Sequence, residues 1–372
     1  MSHSVIESIG TAVPPFRIAQ SDIFNFMSEA HGLNPLEKGR LKKLYSSSGI
    51  EYRNSVLEDY SKPVGEYLFY GNEPGLEPFP STQKRAQFFN YHAIDLCVKA
   101  VEECFSKVPL IELSSITHLI TITCTGLHAP GIDIELVGRL GLNSDIERTC
   151  INFMGCYAAF NALKTADYII KSNVKHRVLI VGVELCTLHF QKENNLTNWL
   201  SNALFSDGAG AVLVSNDAQK IKQKNQLRIL GFYSRLLLES KKEMAWSIGN
   251  FGFEMNLGSG VSKRIKASIK GFAETLLKRF DLSLDQIDHF AIHPGGRRIL
   301  EVCEEELEFT GGENHPSYET LKNYGNMSSV TILFVLKNFL EKMDSGKLEY
   351  GKIMSFAFGP GLTFESMVLT NQ

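Results

Sequence analysis

Four stretches of this chain hold side chains whose types and settings could do chemistry. The first is Gly155-Cys156. Cys156 opens an apolar run, Tyr157 to Ile170, with the spacing of a buried helix. A cysteine at a helix N-terminus meets the positive end of the helix dipole and free backbone N–H groups, and both favour the thiolate that a nucleophile needs. A random cysteine is more often a small buried hydrophobe, and that role is kept for Cys97, Cys104, Cys150 and Cys303. The second stretch is His293 with Pro294-Gly295-Gly296, at the end of an apolar run. The C-terminal ends of strands are where α/β proteins collect their sites. The plain loop-histidine role is kept for His3, His31, His176 and His315. The third is Asn326 after Gly325, which can cap a helix or offer a neutral amide to an oxyanion. The fourth is Ala357-Phe358-Gly359-Pro360-Gly361, whose default meaning is a turn.

Two kinds of segment must position these residues. Short apolar runs rich in β-branched residues predict buried parallel strands at His118–Thr123, Val178–Glu184, Ala209–Val214, His289–His293 and Ile353–Phe358. Helical spacing joins Ile94, Cys97, Val98, Val101, Cys104 and Phe105, and again Ile265, Ile269, Phe272, Leu276 and Phe280. Their alternation predicts an α/β fold with a mostly parallel sheet. The chain also repeats itself once. THLITITCTG, MGCYAAFNALKTADYIIKS and RVLIVGVE are followed in the same order by IDHFAIHPGG, YGNMSSVTILFVLKNFLEK and KIMSFAFGPG. A single long repeat predicts two pseudo-symmetric halves, 1–222 and 223–372, divided in the polar run Lys220–Gln226. Cys156 and Asn326 then hold equivalent places, each after a glycine at the start of a helix. Residues 59–85, rich in proline and glycine, predict a surface loop, with Tyr67, Phe69 and Tyr70 as its packing residues.

Composition narrows the function. Against 41 acidic residues stand 38 Lys and Arg, so the net charge is −3. That excludes strong nucleic-acid binding and polybasic membrane attachment. Apolar runs fall short of the ~18 residues of a membrane span, and no secretory leader pattern opens the chain. Seven cysteines, odd in number and never as Cys-x-x-Cys, argue against a disulfide framework or structural zinc. The expected compartment is the reducing cytoplasm.

Gly155-Cys156, His293-Pro294-Gly295-Gly296, Tyr324-Gly325-Asn326-Met327-Ser328-Ser329 and Phe358-Gly359-Pro360-Gly361 follow one another in that order. With SIGTAVPP, Pro130-Gly131, ALFSDGAGAVLV and GPGLTFE, they make the chain resemble the type III polyketide synthases, the group of chalcone and stilbene synthases. The resemblance runs nearly end to end. It implies a thiolase-type five-layered αβαβα fold, a homodimer, and substrates that are an acyl-CoA starter and malonyl-CoA, with no further cofactor. It implies Cys156 as the nucleophile, His293 and Asn326 as donors to the thioester carbonyl, and Phe205 and Phe253 as gatekeepers. It places Cys124, Thr125, Cys186, His189, Met244, Ser328, Gly359 and Pro360 around the substrate. Arg40 and Lys43 match two basic residues that meet CoA phosphates. Ser47 stands at the third basic position, and Arg297 is the candidate replacement.

Departures from the plant pattern reshape the expected cavity. Cys124, Cys186 and His189 replace threonines, Met244 replaces a glycine, Ala357 replaces the first glycine of GFGPG, and Ala129 replaces a methionine that reaches into the partner's cavity. These features are more similar to microbial members that use simple or malonyl starters. The expected product is an aromatic ring or a pyrone. Two alternatives stand beside this one: a ketosynthase III of fatty-acid initiation, and a non-catalytic acyl-CoA-binding homologue. A thiolase would need a reactive cysteine near the end, and the last here is Cys303.

Overall fold

The β-branched apolar runs lie side by side in a single sheet. The structure, a computed structural model, describes residues 3–217, 226–258 and 260–371. Its strands are β1 (Ser4–Ala12), β2 (Phe16–Ala19), β3 (Tyr52–Ser55), β4 (His118–Thr123), β5 (Glu147–Asn152), β6 (Val178–Leu185), β7 (Asp207–Asn216), β8 (Leu227–Leu236), β9 (Met244–Gly249), β10 (Gly252–Leu257), β11 (His289–Ile292), β12 (Lys352–Gly359) and β13 (Thr363–Thr370). Its helices are α1 (Gln20–Ala30), α2 (Pro35–Ser47), α3 (Thr82–Ser106), α4 (Ile132–Leu140), α5 (Ala158–Ser172), α6 (Leu196–Leu204), α7 (Val261–Lys278), α8 (Arg297–Leu307), α9 (His315–Tyr324) and α10 (Thr331–Asp344).

Nine strands pair in the order β11-β12-β13-β8-β1-β7-β6-β4-β5. The sheet is mixed, not mostly parallel. β4 runs parallel to β5 and β6, and β11 parallel to β12, while the other neighbours are antiparallel. Ala209–Val214, expected to be parallel, lies in β7 and is antiparallel to both neighbours. An unbroken apolar run reports that both faces are covered; it carries nothing about the direction of neighbours.

The repeat is visible in the layers. β1, β7, β6, β4 and β5 form one half-sheet, and β8, β13, β12 and β11 the other; they meet at Val5↔Arg228 and Ile6↔Leu227. Between them lie α5 and α10. One apolar cluster joins Phe160 and Leu163 of α5, Leu333 and Phe339 of α10, Ile120 and Ile180 of the first half-sheet, and Ile353 and Met367 of the second. α3 covers the outside of the first half-sheet and α7 with α8 the second. The result is the five-layered αβαβα arrangement. The expected boundary at 222/223 lies outside the described residues.

Glycines set how closely the halves meet. A Cβ on Gly182 of β6 would come within 2.7 Å of Val330 Cγ1, and one on Gly210 of β7 within 2.9 Å of Leu333 Cδ1. Bare backbone there lets the segment that carries Asn326 lie flat on the first half-sheet.

Residues 59–85 form an irregular surface segment, exposed over much of its length and anchored by buried rings. Phe69 is fully buried, with Tyr67 and Tyr70 nearly so. Tyr70 packs on Phe26, Tyr60 and Phe190 at 5.5, 6.0 and 5.8 Å. The Asp59 carboxylate accepts from the Leu68, Phe69 and Tyr70 N–H groups at 3.1, 2.9 and 2.9 Å. Buried Arg85 donates to the Pro80 and Leu188 carbonyls. Proline and glycine mark irregular backbone, and buried side-chain partners can satisfy irregular backbone as well as water can. Cys150 also differs from expectation. It lies exposed on the edge strand β5, while Cys97, Cys104 and Cys303 are buried.

Candidate active site

Cys156 is placed by a tight turn between β5 and α5. Gly155 has φ +83°, and a Cβ on it would come within 2.5 Å of Pro360 Cδ. The Gly155 N–H donates to Cys124 Sγ at 2.9 Å. The Cys156 thiol stands 4.0 Å from Ser328 Oγ. Burial pushes this thiol up to about 12; the side chains of Ser328 and Asn326 act against the rise, and the Glu184 carboxylate adds to it. A lowered thiol was the expectation for a helix N-terminus. The α5 helix begins two residues later, and in a dry wall desolvation outweighs the dipole.

His293 follows β11, its N–H donating to the Phe356 carbonyl at 2.8 Å. The ring is 1 % exposed, and neither ring nitrogen has a hydrogen-bond partner among the described residues. Burial holds its imidazole down to about 3. Burial thus opposes charge on His293 and on Cys156 taken singly. A proton passed from one to the other leaves the pair with no net charge.

Asn326 serves both ends of its amide. Its Oδ1 accepts from the Ser328 N–H at 2.8 Å, a cap-like bond, while Nδ2 donates to the Gly295 carbonyl at 3.3 Å. Its backbone bridges to Phe205: the Asn326 N–H donates to Leu204 O and the Ser206 N–H to Asn326 O, each at 2.9 Å.

Two chambers meet at these residues. The outer one is walled by Cys156, His293, Asn326, Phe205 and Met244, with aliphatic residues of α6 and α7. The inner one is walled by Cys156, Cys124, Thr125, Cys186, His189, Phe253, Ser328 and Pro360. Cys156, Phe205 and Met244 face both. Gly359 packs behind, where a Cβ would meet Tyr157 Cδ1 at 2.5 Å. His189 stacks on Phe253, centroids 4.2 Å apart and 6° from parallel. Its Nε2 donates to the Thr125 carbonyl at 2.8 Å and its Nδ1 accepts from the Phe253 N–H at 3.0 Å. Burial, with Arg85 nearby, holds this imidazole down to about 3.

Residues 2–218 match the model of the N-terminal domain of chalcone and stilbene synthases, and residues 231–371 match that of their C-terminal domain. The chain belongs to the chalcone and stilbene synthase family. It is 28 % identical to the alpha-pyrone synthesis polyketide synthase-like Pks18 of Mycobacterium tuberculosis, over 98 % of this chain and 90 % of that one. Polyketide synthase 37 of Dictyostelium discoideum is 34 % identical over 98 % of this chain, which spans 12 % of that longer protein. PKS-I from the brown alga Ectocarpus siliculosus superposes with a TM-score of 0.92 at 26 % identity, covering 100 % of this chain and 98 % of that one. The C-terminal type III domain of Steely1, a type I/III hybrid from Dictyostelium, gives 0.90 at 26 % identity over 99 % of each. The chain is therefore a type III polyketide synthase, an acyltransferase acting on acyl-CoA substrates. These likenesses do not favour the ketosynthase III or the non-catalytic alternative.

Other parts of this type III polyketide synthase were not evident from its sequence. Glu184, fully buried at the end of β6, accepts from the Cys124 N–H at 2.9 Å, from Thr125 Oγ1 at 2.8 Å and from the Ser329 hydroxyl. It ties the loop after β4 to the second half, and burial raises its pKa. The signal was there: an acidic residue inside an apolar run must find partners in the core. Trp246 walls the inner chamber and donates to the Cys124 carbonyl at 2.7 Å; nothing in its neighbourhood marked it. Arg40 and Lys43 lie exposed on α2, which starts at an Asn34–Glu37 capping box, and they face a groove shared with Ser47 and Trp199. Arg297 lies apart from that groove, its stem against Gly49 and its Nε donating to Glu301 at 2.9 Å. The next residue, Arg298, reaches the outer chamber. Among the described residues no helix is long and apolar enough to cross a membrane, and no group of three His, Cys, Asp or Glu side chains could hold a metal.

Proposed function

We propose that Cys156 carries the acyl starter and the growing chain as a thioester, and that His293 and Asn326 bind the thioester oxygen of malonyl-CoA. The observation that carries this reading is that Cys156 from one half and His293 and Asn326 from the other wall one chamber, with both His293 ring nitrogens unpartnered among the described residues. Malonyl-CoA breaks its bond to the carboxylate, carbon dioxide leaves, and the electron pair passes into an enolate. Two neutral donors stabilise the developing oxyanion. The enolate carbon attacks the acyl carbon on Cys156, the new carbon–carbon bond forms, and the thiolate leaves. His293 takes the Cys156 proton when the thiol is to react.

Phe205 and Phe253 act as apolar gates that keep water from the enolate. Met244, His189, Cys186, Cys124, Thr125, Ser328, Gly359 and Pro360 shape the chamber where the chain folds. Arg40 and Lys43 meet CoA phosphates at the groove beside Ser47, and Arg297, which stands apart from that groove, is the third CoA-facing cation. Likeness to a relative named for alpha-pyrone synthesis favours a pyrone over an aromatic ring as the product. No resident cofactor is proposed, nor a nucleic-acid or membrane partner, and the seven free thiols fit the cytoplasm. The working unit is a homodimer, because β5 is an edge strand with most of its side chains exposed, and Leu127, Ala129 and Ile134 lie exposed close by in sequence. Light scattering should give twice the chain mass; an active monomer would refute the dimer.

The reaction is tested by adding malonyl-CoA alone. Release of carbon dioxide is expected. No release, with CoA still bound, would return the chain to the acyl-CoA-binding alternative.

A further inference from the structure

The last four carbonyls of a helix have no partner within it. At the end of α6, groups from distant parts of the chain take up this role. Arg53 Nη1 donates to Asn202 O at 2.7 Å and to Phe205 O at 2.8 Å. The Tyr45 hydroxyl also donates to Asn202 O, at 3.1 Å. Gln20 Nε2 donates to Ala203 O at 2.8 Å, and the Asn326 N–H donates to Leu204 O at 2.9 Å. Arg53 Nε donates in turn to Gln20 Oε1 at 2.8 Å, which fixes the plane of the guanidinium.

The other side of Arg53 supports the second half of the molecule. A Cβ on Gly325 would come within 3.0 Å of Arg53 Cγ and 2.9 Å of Leu204 O, so the turn that delivers Asn326 rests on the Arg53 stem. Arg53 is 3 % exposed, and no carboxylate forms an ion pair with it among the described residues. Burying a permanent cation is costly, and the negative end of a helix offsets only part of the cost. A neutral donor could cap one carbonyl. Nε and Nη1 reach three acceptors at angles set by the planar group, which a lysine ammonium does not fix, while Nη2, beside the inner chamber, has no partner among the described residues.

We propose that Arg53 is a positioning residue for condensation: its guanidinium fixes the end of α6, and through it the Phe205 ring and the Asn326 amide. α6 is where a small shift does the most harm. Ser201 and Asn202 face the inner chamber, Leu200 and Leu204 the outer, and Leu196 and Trp199 the groove. The inference rests on the roles proposed above for Asn326 and Phe205.

The test compares two rates in the full-length protein. One is decarboxylation of malonyl-CoA; the other is acyl loading of Cys156 from an acyl-CoA starter. Arg53→Lys keeps the charge and loses the fork. Decarboxylation kcat should fall by about tenfold or more, as for a misplaced catalytic group, while loading stays within about twofold. Gln20→Met, of similar volume, should shift the same ratio in the same direction by a smaller factor. Decarboxylation unchanged in Arg53→Lys, or both rates falling together, would overturn the inference. Where Arg53→Lys does not fold, Gln20→Met decides by the same ratio. Asn326→Ala separates the two levels. If that variant keeps full decarboxylation, the proposed role of Asn326 fails; if it loses it and Arg53→Lys does not, only the role of Arg53 fails.

Discussion

In the N-terminal half, a glycine with φ +83° leads into Cys156 and, two residues on, α5; in the C-terminal half, a glycine with φ +68° leads into Asn326, a short 3₁₀ turn and then α10. The frames match in register as well. Val178 of β6 pairs with His118, and Ile353 of β12 pairs with His289; four residues further along stand Gly182 and Ala357. The chemistry differs because of what each turn does with its side chain. The first turn is short, and its thiol faces Ser328 Oγ of the other half at 4.0 Å. The second spends Oδ1 on the Ser328 N–H and keeps Nδ2 as a donor. The edges differ too, since the first half ends in exposed β5 whereas β11 is buried along its length. One duplicated frame thus brings a thiol and an amide donor to one chamber.

The largest effect expected from breaking this pairing is in the pH dependence of Cys156. Burial pushes the Cys156 thiol up to about 12, and His293 is not among the groups that lower it. Below that value the thiolate fraction falls tenfold per pH unit. If His293 accepts the proton, wild-type Cys156 reacts with iodoacetamide at neutral pH with little slope. His293→Gln removes the acceptor and should slow alkylation at pH 7 by about a hundredfold or more, with the rate climbing as pH rises. Peptide mass spectrometry would follow Cys156 apart from exposed Cys150. Superimposable profiles would sink the pairing.

A smaller effect sharpens the comparison of the seams. Gly182→Ala pushes a methyl group against stiff, buried Val330 and should cost about 1–3 kcal/mol. Ala357→Gly, at the matching register, should cost only about 0.5–1 kcal/mol. Denaturant unfolding would rank them, and equal losses would contradict the asymmetry. The smallest effect on the pairing of the two halves is at Met244, which is half-buried and faces both chambers. Met244→Gly should change product distribution or starter range, with a loss below the ~2–5 kcal/mol of a core deletion. A lowered melting temperature with unaltered products would mean that Met244 does not shape the substrate.

The residues that the structure brings around one chamber were legible because local context marked them: glycine before Cys156 and Asn326, and a strand end before His293. The repeat was legible because both halves kept the same strand–turn–helix order. Strand direction was not, since β7 is as apolar as a parallel strand and pairs antiparallel on both sides. The packing rings of residues 59–85 were legible, but their polar anchors were not, because Asp59 and Arg85 bond backbone groups brought near by folding. The thiol's environment was misjudged for a related reason: the helix start is local, but desolvation depends on everything packed around it.

The central claim is that the two halves share one reaction at Cys156. The most direct measurement is intact and peptide mass after incubation with an acyl-CoA starter and no malonyl-CoA. The account predicts one acyl adduct per chain, on the peptide that holds Cys156, absent in a folded Cys156→Ala variant that makes no polyketide. An adduct on another residue, or polyketide formed by Cys156→Ala, would contradict it.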